Sequence, residues 1–255
     1  MSFKNTKAII LAAGCGKRMK SELPKVLHKI FDVELLKYVH NAVNDIVDLS
    51  YIIVGHKASL VEEFCNKNLK NIKCLLQSPQ RGTGDAVKKA YFDLENFEGN
   101  VLVLYGDAPL IQEKTLKEFV DYHNQNQSVV TVMTANVQNP KGYGRIVRDE
   151  NNNLLKIVEE KDANEKEKAI NEVNGGVYCL DWQKIKQALN ELDCNNAQNE
   201  YYLTDIIVWA LKNKLKVCGY KAEDETELLG INSKKDLANV AKILKDKVID
   251  NLLEN

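Results

Sequence analysis

Four short apolar runs govern what the first half of this chain can fold into: Ala8-Ile-Ile-Leu-Ala-Ala13, Tyr51-Ile-Ile-Val54, Ile72-Lys-Cys-Leu-Leu76 and Val101-Leu-Val-Leu-Tyr105. Each has the length of a strand, and helical patterns over residues 35–46 and 85–94 lie between them. Strand–helix alternation requires crossover connections, which make neighbouring strands parallel and cover both faces of the sheet. The fold class is therefore α/β, with a mixed, mostly parallel sheet and helices on both faces. Such sheets bind ligands beyond the C-terminal ends of their strands.

The second half is less regular. Thr115 followed by Glu118 has the form of a capping box, opening a helix that carries Leu116, Phe119 and Val120 on one face. Residues 128–135 read as a strand, and 143–158 as a hairpin turning over Asp149-Glu-Asn-Asn-Asn153. Residues 162–172 are charged and poor in apolar side chains, as in an exposed loop or helix, and 173–180 return to strand, interrupted at Gly175 and Gly176. Ser233 and Asp236 then open a last helix, with Leu237, Val240, Ala241, Leu244 and Val248 at helical spacing. No repeat or low-complexity linker divides the chain, so the later strands are expected to insert on the sheet.

Composition excludes several classes of function. With 35 Lys and Arg against 36 Asp and Glu, the chain has no excess charge to coat nucleic acid or an anionic membrane. A hydrophobic share of 44% is ordinary for a folded soluble protein. No apolar run has the roughly 18–20 residues of a spanning helix, and the first is too short for a signal-peptide core. Cysteines 15, 65, 74, 179, 194 and 218 contain no C-x-x-C pair, and the four histidines show no zinc spacing. They read as reduced thiols and ordinary imidazoles in a cytoplasmic protein.

The chemistry-bearing segments follow strands. Gly14-Cys15-Gly16-Lys17-Arg18-Met19 comes straight after the first one, and Pro24-Lys25 follows closely. A glycine turn lets several N–H groups point into one cavity and cradle phosphate oxygens, and Lys17, Arg18 and Lys25 supply positive charge. Met19 stands where a dinucleotide fingerprint needs a small residue, and Arg18 where a Walker A loop needs Ser or Thr, so this is a different phosphate loop. A second strand ends in Tyr105-Gly106-Asp107, which sets a carboxylate at the ligand edge of the sheet. Such a hard oxygen ligand suits Mg²⁺ carried in with a nucleotide.

Together these segments resemble the sugar-phosphate nucleotidyltransferases, and among them the bacterial N-acetylglucosamine-1-phosphate uridylyltransferases. The resemblance rests on Leu11-Ala-Ala-Gly-Cys-Gly-Lys-Arg-Met19 and Leu23-Pro-Lys-Val-Leu-His28. In the same order come Gln77 with Gly82-Thr-Gly-Asp-Ala86, Tyr105-Gly-Asp107, Gly142-Tyr-Gly-Arg145, Val158-Glu-Glu-Lys-Asp162 and Asn199-Glu-Tyr-Tyr-Leu-Thr-Asp205. It covers nearly the whole chain and implies a Rossmann-like fold of the nucleotide-diphospho-sugar transferase type. It further implies a nucleotidyltransferase domain over 1–231, with a sugar-binding insertion within about 136–205, and a C-terminal helix over 232–255. Leu11, Ala12, Ala13 and Gly14 would hold the nucleotide, with Arg18 and Lys25 on its phosphates as the catalytic cations. Gln77, Gly82 and Thr83 would recognise uracil, and Tyr105, Gly106, Gly144, Glu159 and Asn174 would line a sugar pocket. Asp107 and Asn232 would bind Mg²⁺. A glutamine amide offers a donor and an acceptor to the imide edge of uracil, and a glutamate can accept from sugar hydroxyls.

Two positions depart from the family pattern: Lys17 stands where a small hydroxyl residue is usual, and Gly175 where threonine is frequent. The hexapeptide repeats that build an acetyltransferase half in the bifunctional relatives are absent, so acetyl transfer is not expected. The implied reaction joins UTP and N-acetylglucosamine 1-phosphate, with Mg²⁺ as cofactor, and the chain is expected to be a monomer or weak dimer. Two other readings stay open on the residues alone. One is the same chemistry on another sugar 1-phosphate, such as glucose 1-phosphate with UTP or dTTP; the other is a nucleotide-binding regulator without turnover.

Overall fold

The computed structural model describes residues 5–253. Its first half carries β1 (Thr6–Ala12), the small hairpin β2 (Lys29–Ile30) and β3 (Val33–Glu34), and α1 (Leu35–Asn44). Next come β4 (Ser50–Val54), α2 (Ala58–Asn68), β5 (Ile72–Leu76), α3 (Thr83–Lys88) and β6 (Asn100–Tyr105). The second half opens with α4 (Glu113–Gln125), β7 (Val130–Asn136) and the hairpin β8 (Arg145–Arg148) and β9 (Leu154–Val158). After α5 (Glu165–Lys168) and β10 (Glu172–Asp181), three helices follow, α6 (Trp182–Ile185), α7 (Ala188–Glu191) and α8 (Ile206–Lys212). The chain closes with β11 (Val217–Lys221) and α9 (Lys234–Leu253).

The main sheet runs β11-β7-β10-β6-β1-β4-β5, with the β8–β9 hairpin attached to β10. Strands β6, β1, β4 and β5 are parallel, β10 lies antiparallel between β6 and β7, and β11 is parallel to β7. The apolar runs are unbroken because both faces of the central strands are buried. In β1, Ala8, Ile10 and Ala12 enter one core with Ile52 and Val54, while Ile9 and Leu11 enter the opposite core with Tyr51 and Ile53. The two-residue period of a strand thus divides one apolar run between two layers of helices.

The four expected strands of the first half are present within a residue or two, as are the later hairpin and the interrupted strand. Three expectations are corrected. Thr115 does not cap α4: the helix begins at Glu113 with Gln112 as its cap, and the Thr115 hydroxyl donates to Glu227 at 2.8 Å. The helix expected over 85–94 begins at Thr83 and gives way after Lys88 to turns, where Ala90 and Tyr91 bond three residues back instead of four. Val248 continues the helical spacing of α9 but is 49% exposed. The docked face holds Leu237, Val240, Ala241 and Leu244 against Met19, Leu35, Leu110 and Ile231, and a 20-residue helix, about 30 Å long, outruns that surface.

Candidate functional site

Strands β1 and β6 pair with Leu11 opposite Tyr105, so the glycine loop and the Gly106–Asp107 segment leave the sheet side by side. Gly106 N–H donates to Leu11 C=O at 3.0 Å, and His56 N–H donates to Ala13 C=O at 3.1 Å. With those carbonyls engaged, what the loop offers a ligand is its donors. Among the described residues, the N–H groups of Gly14, Cys15 and Gly16 reach no acceptor. Gly14 is exposed, and a Cβ there would meet nothing within 4 Å. Unpaired backbone N–H groups of this kind can take up the oxygens of an anion.

The loop continues through a short 3₁₀ turn, Lys17–Met19, pinned by buried Met19 and leaving Arg18 exposed. Gly16 has φ +56°, and a Cβ on it would sit 2.9 Å from Lys25 Cβ. Only glycine tolerates both the left-handed backbone and that approach, so the loop packs directly on Lys25. Pro24, in an extended conformation, then starts the turn Lys25–Leu27 and aims the lysine inward.

The Lys25 ammonium pairs with the Asp107 carboxylate and donates to Asn232 Oδ1 at 3.1 Å. Asn232 reaches Asp107 from the far end of the chain because Ile231 N–H donates to Asp107 C=O at 2.9 Å. Ile231 is fully buried under α9, and Asn232 N–H donates to Asp236 Oδ2 at 3.0 Å in the first turn of that helix. Among the described residues no three His, Cys, Asp or Glu side chains converge as a metal cluster. The Asp107–Asn232 oxygens nonetheless meet one cation, the lysine ammonium. That donor set suits Mg²⁺, which keeps several waters and takes one or two protein oxygens beside substrate phosphates.

Arg18, Lys25, Tyr105, Asp107, Gly144, Glu159, Asn174 and Asn232 line a single cavity of about 250 Å³. Asn174 accepts from Gly176 N–H through Oδ1 at 2.9 Å, which leaves its amide nitrogen to donate. Glu159 Oε1 lies 3.4 Å from the Thr204 hydroxyl, and burial raises its carboxyl above the ordinary range against that hydrogen bond, with the charges of Asp205 and Asp162 adding to the rise. Burial also raises the Tyr105 phenol, helped by Glu159 and Asp107. Tyr105 is thus a neutral hydrogen-bonding wall at any physiological pH.

Gly106 is buried and bonded to Leu11; neither it nor the remaining expected residues line the cavity, and of these Thr83 reaches it indirectly through a side-chain hydrogen bond to Tyr105. Gln77 is buried and donates from Nε2 to Gly82 C=O at 2.9 Å and to Asp85 Oδ2 at 2.8 Å. Two acceptors fix the amide's orientation and occupy both of its hydrogens, so the glutamine has an acceptor to give a base but no donor. That narrows the two-sided uracil contact expected from the sequence. The Thr83 hydroxyl accepts from Leu203 N–H at 3.0 Å, and the Tyr201 backbone bonds both Arg81 and Gly84. The Asn199-to-Asp205 segment therefore buttresses the start of α3. The sequence reading missed Tyr143, which lines the cavity from within the quoted Gly142-to-Arg145 motif, and Asp85, which orients Gln77 from within Gly82-to-Ala86.

A larger cavity, about 460 Å³, lies on the other side of Glu159 among Asp162, Glu191, Asp193, Asp205 and Trp209. Burial, with Asp193 and Asp162 nearby, raises Asp205 to about 6. Six carboxylates against Lys156 and Lys212 make this lining acidic and disfavour phosphates, so charge and not volume selects the smaller cavity.

Known proteins resemble this chain in sequence and in fold. The "Bifunctional protein GlmU" of Streptococcus uberis is 43% identical over 242 residues, 94% of this chain and 52% of that protein. The Clostridioides difficile protein of the same name is 43% identical over 259 residues, 98% of this chain and 54% of that one. The chain thus spans about half the length of these curated relatives. Among solved structures, a UDP-glucose pyrophosphorylase complexed with UDP-glucose superposes with a TM-score of 0.74 at 21% identity, covering 95% of this chain and 99% of that one. A putative glucose-1-phosphate thymidylyltransferase from Bacillus anthracis gives 0.69 at 18%, covering 94% and 96%. These two establish the fold alone. The nucleotidyl transferase family matches residues 7–227, and the chain belongs to that family.

Proposed function

We propose that the chain transfers UMP from UTP to N-acetylglucosamine 1-phosphate, releasing UDP-N-acetylglucosamine and pyrophosphate, with Mg²⁺ held by Asp107 and Asn232. One observation carries this reading. Two oxygens meeting a single cation share a cavity with Arg18, Glu159 and Asn174, so phosphate-binding and hydroxyl-binding groups open onto one space. Identity of 43% to relatives spanning the whole of this fold supports it, as does the family resemblance in the motifs. We assign residues within about 136–205 to the sugar side of the site, and the segment from Asn232 into α9 (Lys234–Leu253) to its closure.

The attacking group is a phosphate oxygen, already largely ionised at neutral pH because the second pKa of a phosphomonoester is about 6. No side chain is needed as a general base, and none of the cavity's carboxylates is assigned that role. The chain's task is to hold two anions in line and stabilise the charge that moves. The Gly14–Gly16 N–H groups bind phosphate oxygens, and Arg18 and Lys25 offset charge accumulating on the departing pyrophosphate. Glu159 accepts from sugar hydroxyls, and the Asn174 amide nitrogen donates to the sugar. Mg²⁺, when bound, would neutralise phosphate oxygens so that an anionic nucleophile can approach. Gln77 Oε1 with the Gly82–Thr83 backbone reads the base.

The reading places the enzyme in the cytoplasm as a monomer or weak dimer. The test is pyrophosphate release across UTP, dTTP and CTP paired with N-acetylglucosamine 1-phosphate or glucose 1-phosphate. Turnover confined to UTP with the N-acetylated sugar is expected. Faster turnover with glucose 1-phosphate overturns the sugar assignment, and nucleotide binding without pyrophosphate release overturns the enzyme reading in favour of a regulator.

A further inference from the structure

We propose that the Lys25 ammonium is a tethered cation seated in the metal position between Asp107 and Asn232, and that an incoming triphosphate draws it off, so that divalent metal binds with the nucleotide and not before it. The proposal rests on the assignment of Asp107 and Asn232 as metal ligands made above.

The geometry has three parts. First, the ammonium meets both candidate ligands at once, through the ion pair to Asp107 and the 3.1 Å bond to Asn232 Oδ1. With side chains only 15% and 12% exposed, Lys25 and Asp107 are screened little by solvent. A divalent ion approaching the same oxygens meets a positive charge at contact distance, and the two cations exclude each other.

Second, the ligands are held together without the lysine. Ile231 N–H bonds the Asp107 carbonyl, Ile231 is buried in the α9 cluster, and Asn232 N–H is tied to Asp236. Removing the ammonium therefore leaves the main chain of both ligands in place, so that their oxygens stay within reach of one metal ion.

Third, the lysine has somewhere else to go. Its backbone is fixed against Gly16, directly behind the open N–H row of the glycine loop, and Arg18 lines the same cavity. A triphosphate on that loop offers acceptor oxygens within reach of a flexible four-carbon stem, and the ammonium is a compact, mobile point charge. Swinging from carboxylate to phosphate exchanges one anionic partner for another and frees Asp107 for the metal. The lysine would thus bind to leaving-group phosphates and enforce the order of loading with one charge.

The test is direct metal binding without nucleotide. Mn²⁺, titrated against wild type, Lys25→Met, Lys25→Gln and Lys25→Met/Asp107→Asn, is followed by the loss of its free-ion electron paramagnetic resonance signal. Circular dichroism checks the fold of each variant. The expected result is that both single variants bind one Mn²⁺ at least about tenfold more tightly than wild type, a change of about 1.4 kcal/mol, and that the double variant loses the gain. Single variants with wild-type or weaker Mn²⁺ affinity overturn the tethered-cation idea while leaving the metal ligands standing. A gain that survives in the double variant overturns the assignment of Asp107 as a ligand instead.

Discussion

Substituting Gly176 by alanine should deform the sugar side of the site through one identifiable collision. Gly176 has φ +76°, where a side chain adds about 1–2 kcal/mol of backbone strain. A Cβ there would lie 2.5 Å from Cδ2 and Cε2 of the Tyr105 ring, against an ordinary carbon–carbon separation of about 3.5–4 Å. The ring must move by roughly 1 Å, and overpacking of this kind costs about 1–3 kcal/mol. The two contributions give about 2–5 kcal/mol, or roughly 4–20 °C in melting temperature for a chain of this size. Tyr105 lines the cavity, so the KM for the sugar phosphate should rise with little change for UTP. Gly14→Ala is the control: its Cβ meets nothing and its backbone is unstrained, so stability should stay within about 0.5 kcal/mol. A methyl group beside the unpaired Gly14 N–H narrows the approach of a phosphate to it, so nucleotide affinity should fall. Thermal melts and steady-state kinetics on both variants separate the effects. A Gly176→Ala protein melting within about 1 °C of wild type with an unchanged sugar-phosphate KM would refute the reasoning.

Further outcomes follow from the same geometry. Glu159→Ala should raise the KM for the sugar phosphate by roughly 10- to 150-fold, since a hydrogen bond to a charged acceptor is worth about 1.5–3 kcal/mol, and should spare UTP; equal losses for both substrates would point to a folding role. Asn232→Ala should raise the Mg²⁺ concentration for half-maximal rate, and Asp107→Asn should nearly abolish turnover because a neutral amide is a poor ligand for a hard cation. An Mg²⁺ titration of the rate at wild-type midpoint for Asn232→Ala would contradict the shared site. Asp205 is raised from 3.8 to about 6, so the folded chain holds its proton to higher pH than the unfolded chain and loses stability as pH rises through that window. Asp205 makes no side-chain cap on α8, so Asp205→Asn should be more stable than wild type at pH 7.5 by on the order of 1–2 kcal/mol, with the gain disappearing below about pH 4. Urea melts across that range check the slope.

The legible part of the fold is the part that is buried on both sides. Runs such as Ile9-Ile10-Leu11 or Val101-Leu102-Val103 can satisfy their surroundings only as central strands, so periodicity and length identify them. Strand direction carries no such mark. Nothing in residues 173–180 separates an antiparallel β10 from a parallel one; that choice is made by pairing with β6 and β7. Thr115 shows a local rule overridden by a distant partner. Its spacing to Glu118 fits a cap, yet its hydroxyl is taken by Glu227, 112 residues away. Glu227 itself sits in the run Glu223-Asp-Glu-Thr-Glu227, which reads as a solvated charged stretch. It is buried, however, and accepts from Gln112 N–H at 3.0 Å and Thr115 at the first turn of α4.

The same distinction runs through the site. Arg18, Lys25 and Asp107 are legible because each follows a strand or a glycine turn, where sequence order and ligand edge coincide. The partnership of Asp107 with Asn232 is not, since 124 intervening residues cross the sheet before the backbone of Ile231 reaches the Asp107 carbonyl. Only resemblance pointed to it. What delivers Asn232 is a chain of ordinary contacts: Glu227 fastened to the start of α4, Leu228 packed against Gly175 at the cavity wall, Ile231 buried under α9, and the Asn232 N–H held by Asp236. None of these residues bears the chemistry, and each is an unremarkable glutamate, aliphatic or aspartate by composition. The metal site proposed above, one carboxylate and one amide, is too small to organise itself, so its geometry has to come from the packing of the segment that carries the amide.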